Sequence, residues 1–370
     1  MTARRLLVPY LAPTSFVRDD LELLRERYEV VPFEFGVASG ARALARALSR
    51  QRRWLRREIP SADAVFGWFA DYHLALAVRA ARRRGVPVAV ALGGFDAACL
   101  PGMRYGVFCS RWRAPLAAYV LRRASLLVPV AGALIRNQND IGAAPPHTAQ
   151  GVAAHVDDLE TRAVAVPTGY DADAWPLGPR QRPASVCAVA YLADWRTFKV
   201  KGGDLLFAAA RLLPEVRFQI VGVEAGFMRE LTERGAPPSN VELCPPAKRE
   251  ALVRVYSAAS VVAHLSRSEG LPNVLCEAML CGCVPVVTDV GAMREVVAGV
   301  GIVVRSAAPE TIASAIQAAL GDAGVRREAA RARIVESYSR ERRRRELFGL
   351  LDALMAGERP GVPARDWPLA

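Results

Sequence analysis

The chain has 370 residues, of which 52% are hydrophobic and 23% charged, so its composition excludes a disordered protein and fits two globular domains. Its formal net charge is +12, but lysine is rare among its 49 basic residues, which indicates arginine-rich codon usage. We predict a solvated basic surface, with peripheral contact with an anionic membrane as the alternative, and no nucleic-acid partner because no binding motif accompanies the charge.

Cysteine spacing and hydropathy indicate the compartment. The seven cysteines are scattered, without the paired spacing of a zinc site, and predict reduced thiols and no bound metal. No secretory signal is apparent, and arginines interrupt the apolar stretch 116–135, which therefore predicts no membrane span. We expect a cytoplasmic protein, with membrane association as the alternative.

Strand-like and helix-like patterns alternate in the first half, as is typical of a parallel sheet covered by helices. The predicted strands are residues 5–9, 29–35, 64–69, 87–92 and 126–130. The predicted helices are residues 16–27, 40–57, 72–84 and 114–123. A segment rich in proline and glycine, residues 166–182, then predicts a linker.

The alternation restarts after this segment. The predicted strands are residues 186–191, 217–221, 241–244, 260–265 and 284–288. The predicted helices are residues 203–213, 227–234, 247–258, 273–281, 310–320 and 339–355. We predict an N-terminal Rossmann-like domain (1–165), a linker (166–185), a second Rossmann-like domain (186–338), and a C-terminal helix and tail (339–370) that docks towards the first domain.

The segment 266–287 combines a strand end, a Gly/Pro loop and a helix. Asn273 is the predicted N-cap of that helix, whose N-terminus favours phosphate because free amides and the helix dipole point at the anion. Glu277 lies four residues later and can accept two ribose hydroxyls. Glu269, on the loop, can hold sugar hydroxyls or stabilise positive charge at an anomeric carbon. The alternative is that Glu269 is merely solvated and that Glu277 only compensates the helix dipole.

This segment resembles the signature of family-four retaining glycosyltransferases. The likeness includes two glutamates separated by seven residues, the run 281–291 after them, and Glu295. It implies the GT-B fold, in which two Rossmann-like domains have parallel sheets that face a central cleft. It also implies transfer of a sugar from a nucleotide-diphosphate donor, UDP or GDP, to a hydroxyl acceptor, without metal or cofactor. By resemblance, Glu269 faces the sugar and Glu277 binds the ribose, and the donor contacts backbone at Gly270, Leu271, Pro272, Asn273 and Val274.

Lys201 begins a Lys-Gly-Gly turn before a helix, which resembles the turn where the family's lysine meets the donor phosphates. A mobile point charge suits that task. The family's arginine just after the preceding strand is missing, and Arg196 is the candidate replacement. We interpret Lys201 as a catalytic residue and Lys199 as a surface residue.

The first domain contributes candidates from loops that follow its strands. Asp96 follows a glycine pair and, by resemblance, is a catalytic candidate that faces the reaction centre. The predicted acceptor-side residues are Thr14, Ser15, Gly93, Gly94 and His73. Helix capping by Thr14 or Ser15 and a structural role for His73 are the alternatives.

The sequence bears on four other functions. The sequence lacks the glycine fingerprints of a nicotinamide dehydrogenase and of a P-loop NTPase. A nucleotide-sugar epimerase of the same fold, and a catalytically idle subunit that binds sugar nucleotides, remain alternatives.

Overall fold

Two parallel β-sheets, one in each half of the chain, organise the structure. The computed structural model describes residues 3–139, 141, 148–235 and 237–369. The strands are β1 Arg5–Tyr10, β2 Glu29–Glu34, β3 Ala64–Trp68, β4 Val88–Leu92, β5 Leu126–Pro129, β6 Asn137–Asn139, β7 Thr148–Gln150, β8 Arg162–Ala163, β9 Ser185–Leu192, β10 Arg217–Val223, β11 Val241–Cys244, β12 Val261–His264, β13 Val284–Thr288, β14 Ile302–Val304 and β15 Val362–Pro363. The helices are α1 Ser15–Arg25, α2 Ala41–Glu58, α3 Ala75–Arg82, α4 Arg113–Arg123, α5 Trp195–Val200, α6 Gly203–Arg211, α7 Ala225–Glu230, α8 Arg249–Ala258, α9 Asn273–Leu280, α10 Met293–Val297, α11 Pro309–Ser337 and α12 Arg340–Met355.

The first sheet has the strand order β15-β8-β5-β4-β3-β1-β2. Its strands are parallel, with Val65 opposite Val88 in the β3–β4 pair, except that β15 is antiparallel to β8. Every residue of β3 and β4 is buried, as expected when helices cover both faces of a parallel sheet. Because β15 comes from the C-terminal tail, the end of the chain packs on the first half.

The second sheet has the order β11-β10-β9-β12-β13-β14 and is parallel throughout. Phe198, Phe207 and Phe227 make aromatic ring contacts within one of its hydrophobic clusters. Leu275 and Met279 of α9 are fully buried in the other core cluster. Layers on both faces leave the strand ends as the accessible part of the sheet.

Helices α5, α10 and α11 differ most from the sequence prediction, which did not include α10. The helix predicted over 310–320 continues to Ser337, since Ala330 and Ile334 keep one face buried beyond Gly321 and Gly324. Helix α5 was not predicted, although Asp194 and Thr197 form a reciprocal capping box that starts it. The sequence did not predict the full length of α11 because Gly321 and Gly324 interrupt its pattern, and it did not predict α5 because that helix has only six residues.

The C-terminal helix α12 packs against the first half of the chain. Ser339 caps it by accepting from the amide of Arg342. Its buried face includes Phe348, whose ring meets the edge of Tyr28 at a centroid distance of 5.6 Å. Within the described ranges, no helix has the length and apolar character needed to cross a membrane.

Candidate active site

A cavity of about 290 Å³ lies where the strands of both sheets end. Trp68 ends β3, and Val130 follows β5 on the first side, while His264 ends β12 on the second. The carboxyl ends of parallel strands are where open α/β sheets bind ligands. Several predicted site residues line this cavity, namely Gly93, Lys201, Glu269, Leu271, Pro272, Asn273 and Val274.

Lys201 and Glu269 form an ion pair in this cleft, with the lysine Nζ 2.6 Å from Oε1. Lys201 follows α5, and Gly202 next to it has φ +75°. A Cβ at Gly202 would lie 2.0 Å from the carbonyl oxygen of Leu265, so only glycine permits this turn beside β12. The turn brings the ammonium group to the loop that carries Glu269.

The charges of this pair reinforce each other. Burial alone would raise the pKa of the Glu269 carboxyl, but Lys201 and His264 outweigh burial and hold that pKa well below its usual range. Burial opposes the charge of Lys201 too, yet Glu269 and Tyr105 raise the lysine pKa above its ordinary value. Both groups are therefore ionised at neutral pH.

His264 is a second donor to Glu269 that the sequence analysis missed. Its Nε2 lies 2.9 Å from Oε1 of Glu269 and 3.2 Å from Oγ of Ser266. Because Glu269 is ionised, Nε2 carries the proton that faces it. The imidazole side chain is only 6% exposed. The available signal was a histidine at the end of an apolar strand, just before the glutamate loop.

Gly93 and Gly94 bring the first half into contact with the glutamate loop. A Cβ at Gly270 would lie 2.3 Å from the carbonyl oxygen of Gly93. Gly94 has φ +136°, and a Cβ there would lie 3.0 Å from the amide nitrogen of Gly270. Side chains at these positions would push the two loops apart, so glycine allows the backbones to meet across the cleft.

Asp96 does not face the cavity, which corrects the prediction that it acts at the reaction centre. Its carboxylate accepts hydrogen bonds of 3.0 Å from the amides of Ala70, Gly93 and Gly94, and the residue is 1% exposed. Burial raises the pKa of Asp96 to about 6 despite these bonds. Asp96 thus holds the glycine loop in place.

Helix α9 begins at the cavity, but Asn273 is not its N-cap. Pro272 occupies the cap position, and the amides of Leu275 and Cys276 donate to its carbonyl oxygen. The Asn273 side chain instead accepts a hydrogen bond of 2.7 Å from the Tyr170 hydroxyl in the linker segment. The first amides of the helix, at Asn273 and Val274, have no intrahelical carbonyl partner, and both residues line the cavity.

Glu277 lies one turn into α9, outside the cavity lining. Burial raises the pKa of its carboxyl to about 7, and the Tyr256 hydroxyl 3.4 Å away opposes that rise. Arg249 and Asp19 also act on its charge. Glu277 is therefore a carboxyl group that changes charge near neutral pH.

Arg196 lies on α5 and is exposed over about half of its side chain. Its guanidinium is 3.6 Å from the carboxylate of Asp194. The charge of Arg196 lowers the pKa of Tyr105, as the charge of Lys201 does, while the charge of Glu269 raises it. Arg196 does not line the cavity, so its predicted contact with a donor phosphate requires a change of rotamer.

The other acceptor-side candidates have different surroundings. Thr14 precedes α1 but its side chain makes no capping bond, and Ser15 is exposed, while Phe16 next to them lines the cavity. His73 is fully buried, with Nε2 2.9 Å from the Trp68 carbonyl oxygen. Burial lowers the His73 pKa to about 4. These facts correct the acceptor-side prediction for His73, which is a neutral core residue.

Among the described residues, no group of three or more His, Cys, Asp or Glu side chains is placed so that it could hold a metal ion.

Solved structures share this arrangement over nearly the whole chain. Sucrose-phosphate synthase from Thermosynechococcus elongatus is 13% identical, with a TM-score of 0.69, and the match covers 96% of this chain and 100% of that chain. Anabaena HepE in complex with UDP-glucose is 16% identical, with a TM-score of 0.69 and coverage of 94% and 99%. At these identities the likeness shows the fold, and the predicted GT-B fold is confirmed.

The family is indicated by the second half of the chain. Residues 186–322 match the family model of glycosyl transferases group 1, which confirms the resemblance over this region. The D-inositol 3-phosphate glycosyltransferase of Mycolicibacterium smegmatis is 34% identical over 153 residues, 37% of this chain and 35% of that protein. The protein of the same name from Jonesia denitrificans is 31% identical over 41% of each. The chain thus spans well under half the length of these curated relatives.

Proposed function

We propose that the protein is a retaining glycosyltransferase that moves a sugar from a nucleotide-diphosphate donor to a hydroxyl acceptor. The observation that supports this most is the ionised Lys201–Glu269 pair beside the start of α9, in a cleft lined by both halves. A cation and open helix amides suit a diphosphate, and a fixed carboxylate suits the sugar.

Lys201 acts on the leaving diphosphate in this proposal. Its ammonium stabilises the negative charge that grows as the bond to the anomeric carbon breaks, and the amides of Asn273 and Val274 share that task. The Lys201–Glu269 contact lets the lysine turn from the carboxylate to the phosphate as the donor binds. Arg196 lies on helix α5, which ends just before Lys201, and is the second proposed phosphate ligand.

Glu269 and Glu277 divide the rest of the donor. Glu269 holds hydroxyls of the sugar or stabilises positive charge at the anomeric carbon, and Glu277 accepts the ribose hydroxyls. The acceptor attacks from the face that the diphosphate leaves, and the leaving phosphate takes its proton. No side-chain nucleophile or cofactor takes part. The structures of Anabaena HepE in complex with UDP and with UDP-glucose favour a uridine donor over the guanosine alternative.

Donor screening tests this function. UDP-, GDP- and ADP-sugars are added to the purified chain, and both the melting temperature and the released nucleoside diphosphate are measured with and without candidate acceptors. We expect one base to raise the melting temperature by mass action and diphosphate release to increase with the right acceptor. Conversion of donor into a different sugar nucleotide without acceptor would instead indicate an epimerase. The cytoplasmic location remains a prediction.

A further inference from the structure

Helix α2 concentrates positive charge on the surface of the first half. Its one acidic residue, Glu58, is buried, and that side chain is paired with Arg5 and Arg57. Its arginines are all exposed, and they are Arg42, Arg46, Arg50, Arg52, Arg53, Arg56 and Arg57. The structure thus gathers seven arginines on the surface of one helix.

Most of this charge has no role in holding the fold. Within the described residues, Arg46 and Arg53 have no carboxylate partner. Arg50 donates to the carbonyl oxygens of Glu34 and Phe35, and its guanidinium lies 5.5 Å from the Phe33 ring centroid. Two unpaired guanidinium groups beside a fixed one attract anions more strongly than paired surface charges do.

These arginines border a groove of about 530 Å³ between α2 and the segment 35–38. Phe35, Ala43 and Ala47 supply apolar lining, and the arginines at positions 46, 50 and 53 supply charge. Val37, also in the lining, is 77% exposed. The groove therefore combines anion-binding groups with an aliphatic side chain that has no protein cover.

A row of aromatic rings extends this surface. Phe35 meets Tyr72 at a centroid distance of 5.6 Å, and Tyr72 meets Trp112 at 5.2 Å. Trp112 is 55% exposed. Tryptophan with an exposed face is favoured at the boundary between lipid headgroups and acyl chains. We call α2, the segment 35–38 and Trp112 together the basic face.

The basic face lies at the edge of the first sheet that carries the cleft. The segment 35–38 directly follows the carboxyl end of β2, which runs parallel to β1. Trp68 and Gly93, which line the cavity, lie at the carboxyl ends of β3 and β4, two and three strands away from β2 in the same sheet. A surface bound to the basic face therefore lies beside the predicted acceptor side of the cleft.

We propose that the basic face docks on the surface of a phospholipid bilayer that contains anionic lipids. Lipid phosphates occupy the arginine groove, and Val37 and Trp112 enter the headgroup region. A soluble anion would use the arginines alone, and the exposed apolar side chains beside them favour a bilayer. The proposal goes beyond glycosyl transfer and does not depend on it.

Vesicle co-sedimentation of the full chain tests the proposal. We expect binding to phosphatidylcholine vesicles that contain phosphatidylglycerol, little binding to phosphatidylcholine alone, and weaker binding at high salt. The double variant Arg46→Gln/Arg53→Gln should lower the vesicle partition coefficient about 30-fold, and Trp112→Ala about tenfold. The matched control Arg229→Gln/Arg254→Gln removes two exposed arginines from α7 and α8, and should change partition less than about twofold.

The proposal would be overturned by equal losses in the two double variants, by equal binding to neutral vesicles, or by unchanged binding of Trp112→Ala. If Trp112→Ala binds as the wild type does and a short DNA duplex also displaces the protein from vesicles, the basic face is a general polyanion surface. Melting temperatures of all variants are measured alongside, and inorganic phosphate serves as the soluble-anion competitor. Complete release of the protein by millimolar phosphate at constant ionic strength would also contradict docking on a bilayer.

Discussion

The guanidinium of Arg343 forms a two-pronged ion pair with the carboxylate of Asp20, through contacts of 2.6 Å from Nε and from Nη2. Both side chains are 4% exposed. The Trp68 indole donates to Asp20 at 2.9 Å, and Nη1 of Arg343 donates to the carbonyl oxygens of Val166 and Pro167. One buried cluster thus joins the first helix, the last helix and the start of the predicted linker.

We predict that Asp20→Ala lowers the free energy of unfolding by about 3–5 kcal/mol, because it leaves the Arg343 charge buried without a partner. Asp19→Ala, at the exposed neighbouring position on α1, should cost less than about 1 kcal/mol. Denaturant unfolding of both variants measures the difference. Equal losses would show that the cluster does not stabilise the fold as described.

His264 should affect the rate more than donor binding, since it contacts the Glu269 carboxylate and is not one of the groups that the proposal assigns to the diphosphate. We predict that His264→Ala lowers kcat about 10- to 100-fold, the worth of a hydrogen bond to a charged group, while KM for the donor changes little. Steady-state kinetics with the donor found by screening measures both constants.

His264→Asn provides the control for this prediction. Its amide can donate towards Glu269 from the same backbone position, so it should restore part of kcat, while the Ala variant does not. If the two variants have the same kcat, or if KM alone rises, the hydrogen bond to Glu269 is not what matters.

Donor affinity should depend on pH through Glu277. A carboxylate accepts two ribose hydroxyls, and burial raises the Glu277 pKa to about 7, so protonation weakens the proposed contact as pH falls. We predict that KM for the donor rises about tenfold per pH unit below pH 7 and levels off above it. In Glu277→Gln, KM should be high and independent of pH between 5.5 and 8.5, and a slope that persists in this variant would assign the titration to another group.

Gly291 supports Glu269 from the next loop. It has φ +57°, and a Cβ there would lie 2.1 Å from the carbonyl oxygen of Glu269. Gly291→Ala should therefore displace the glutamate loop and lower turnover at least about 100-fold. Gly299 has φ +79° with nothing near its absent Cβ, so Gly299→Ala carries similar backbone strain without the clash. Turnover equal in the two variants would contradict this explanation.

The sequence was sufficient for features that depend on local pattern. Buried apolar runs such as β13 were predicted with the bounds the structure has. Glu269 lies in the loop after one such strand, and Lys201 lies in the turn before helix α6. The carboxyl ends of parallel strands must meet at one edge, so placing these loops near a common cleft needed no side-chain detail. The role of each residue there remains a proposal.

The sequence was insufficient where side-chain direction decides. Asp96 follows two glycines whether its carboxylate faces a ligand or its own loop, and only the fold shows that it binds the amides of that loop. Asn273 fits an N-cap pattern, but the Tyr170 hydroxyl, distant in sequence, engages its side chain. The contact between His264 and Glu269 could not be predicted, because it forms only where the loop turns Glu269 back onto the end of β12.

The central claim is that Lys201 promotes departure of a nucleoside diphosphate, and the most direct test compares two of the chain's lysines. Lys201→Ala should lower the rate of diphosphate release from the sugar nucleotide by about 100- to 1000-fold. Lys199→Ala removes an exposed lysine two positions earlier and should retain the wild-type rate within about twofold. Wild-type release by Lys201→Ala, or an equal loss in both variants, would contradict the proposed site.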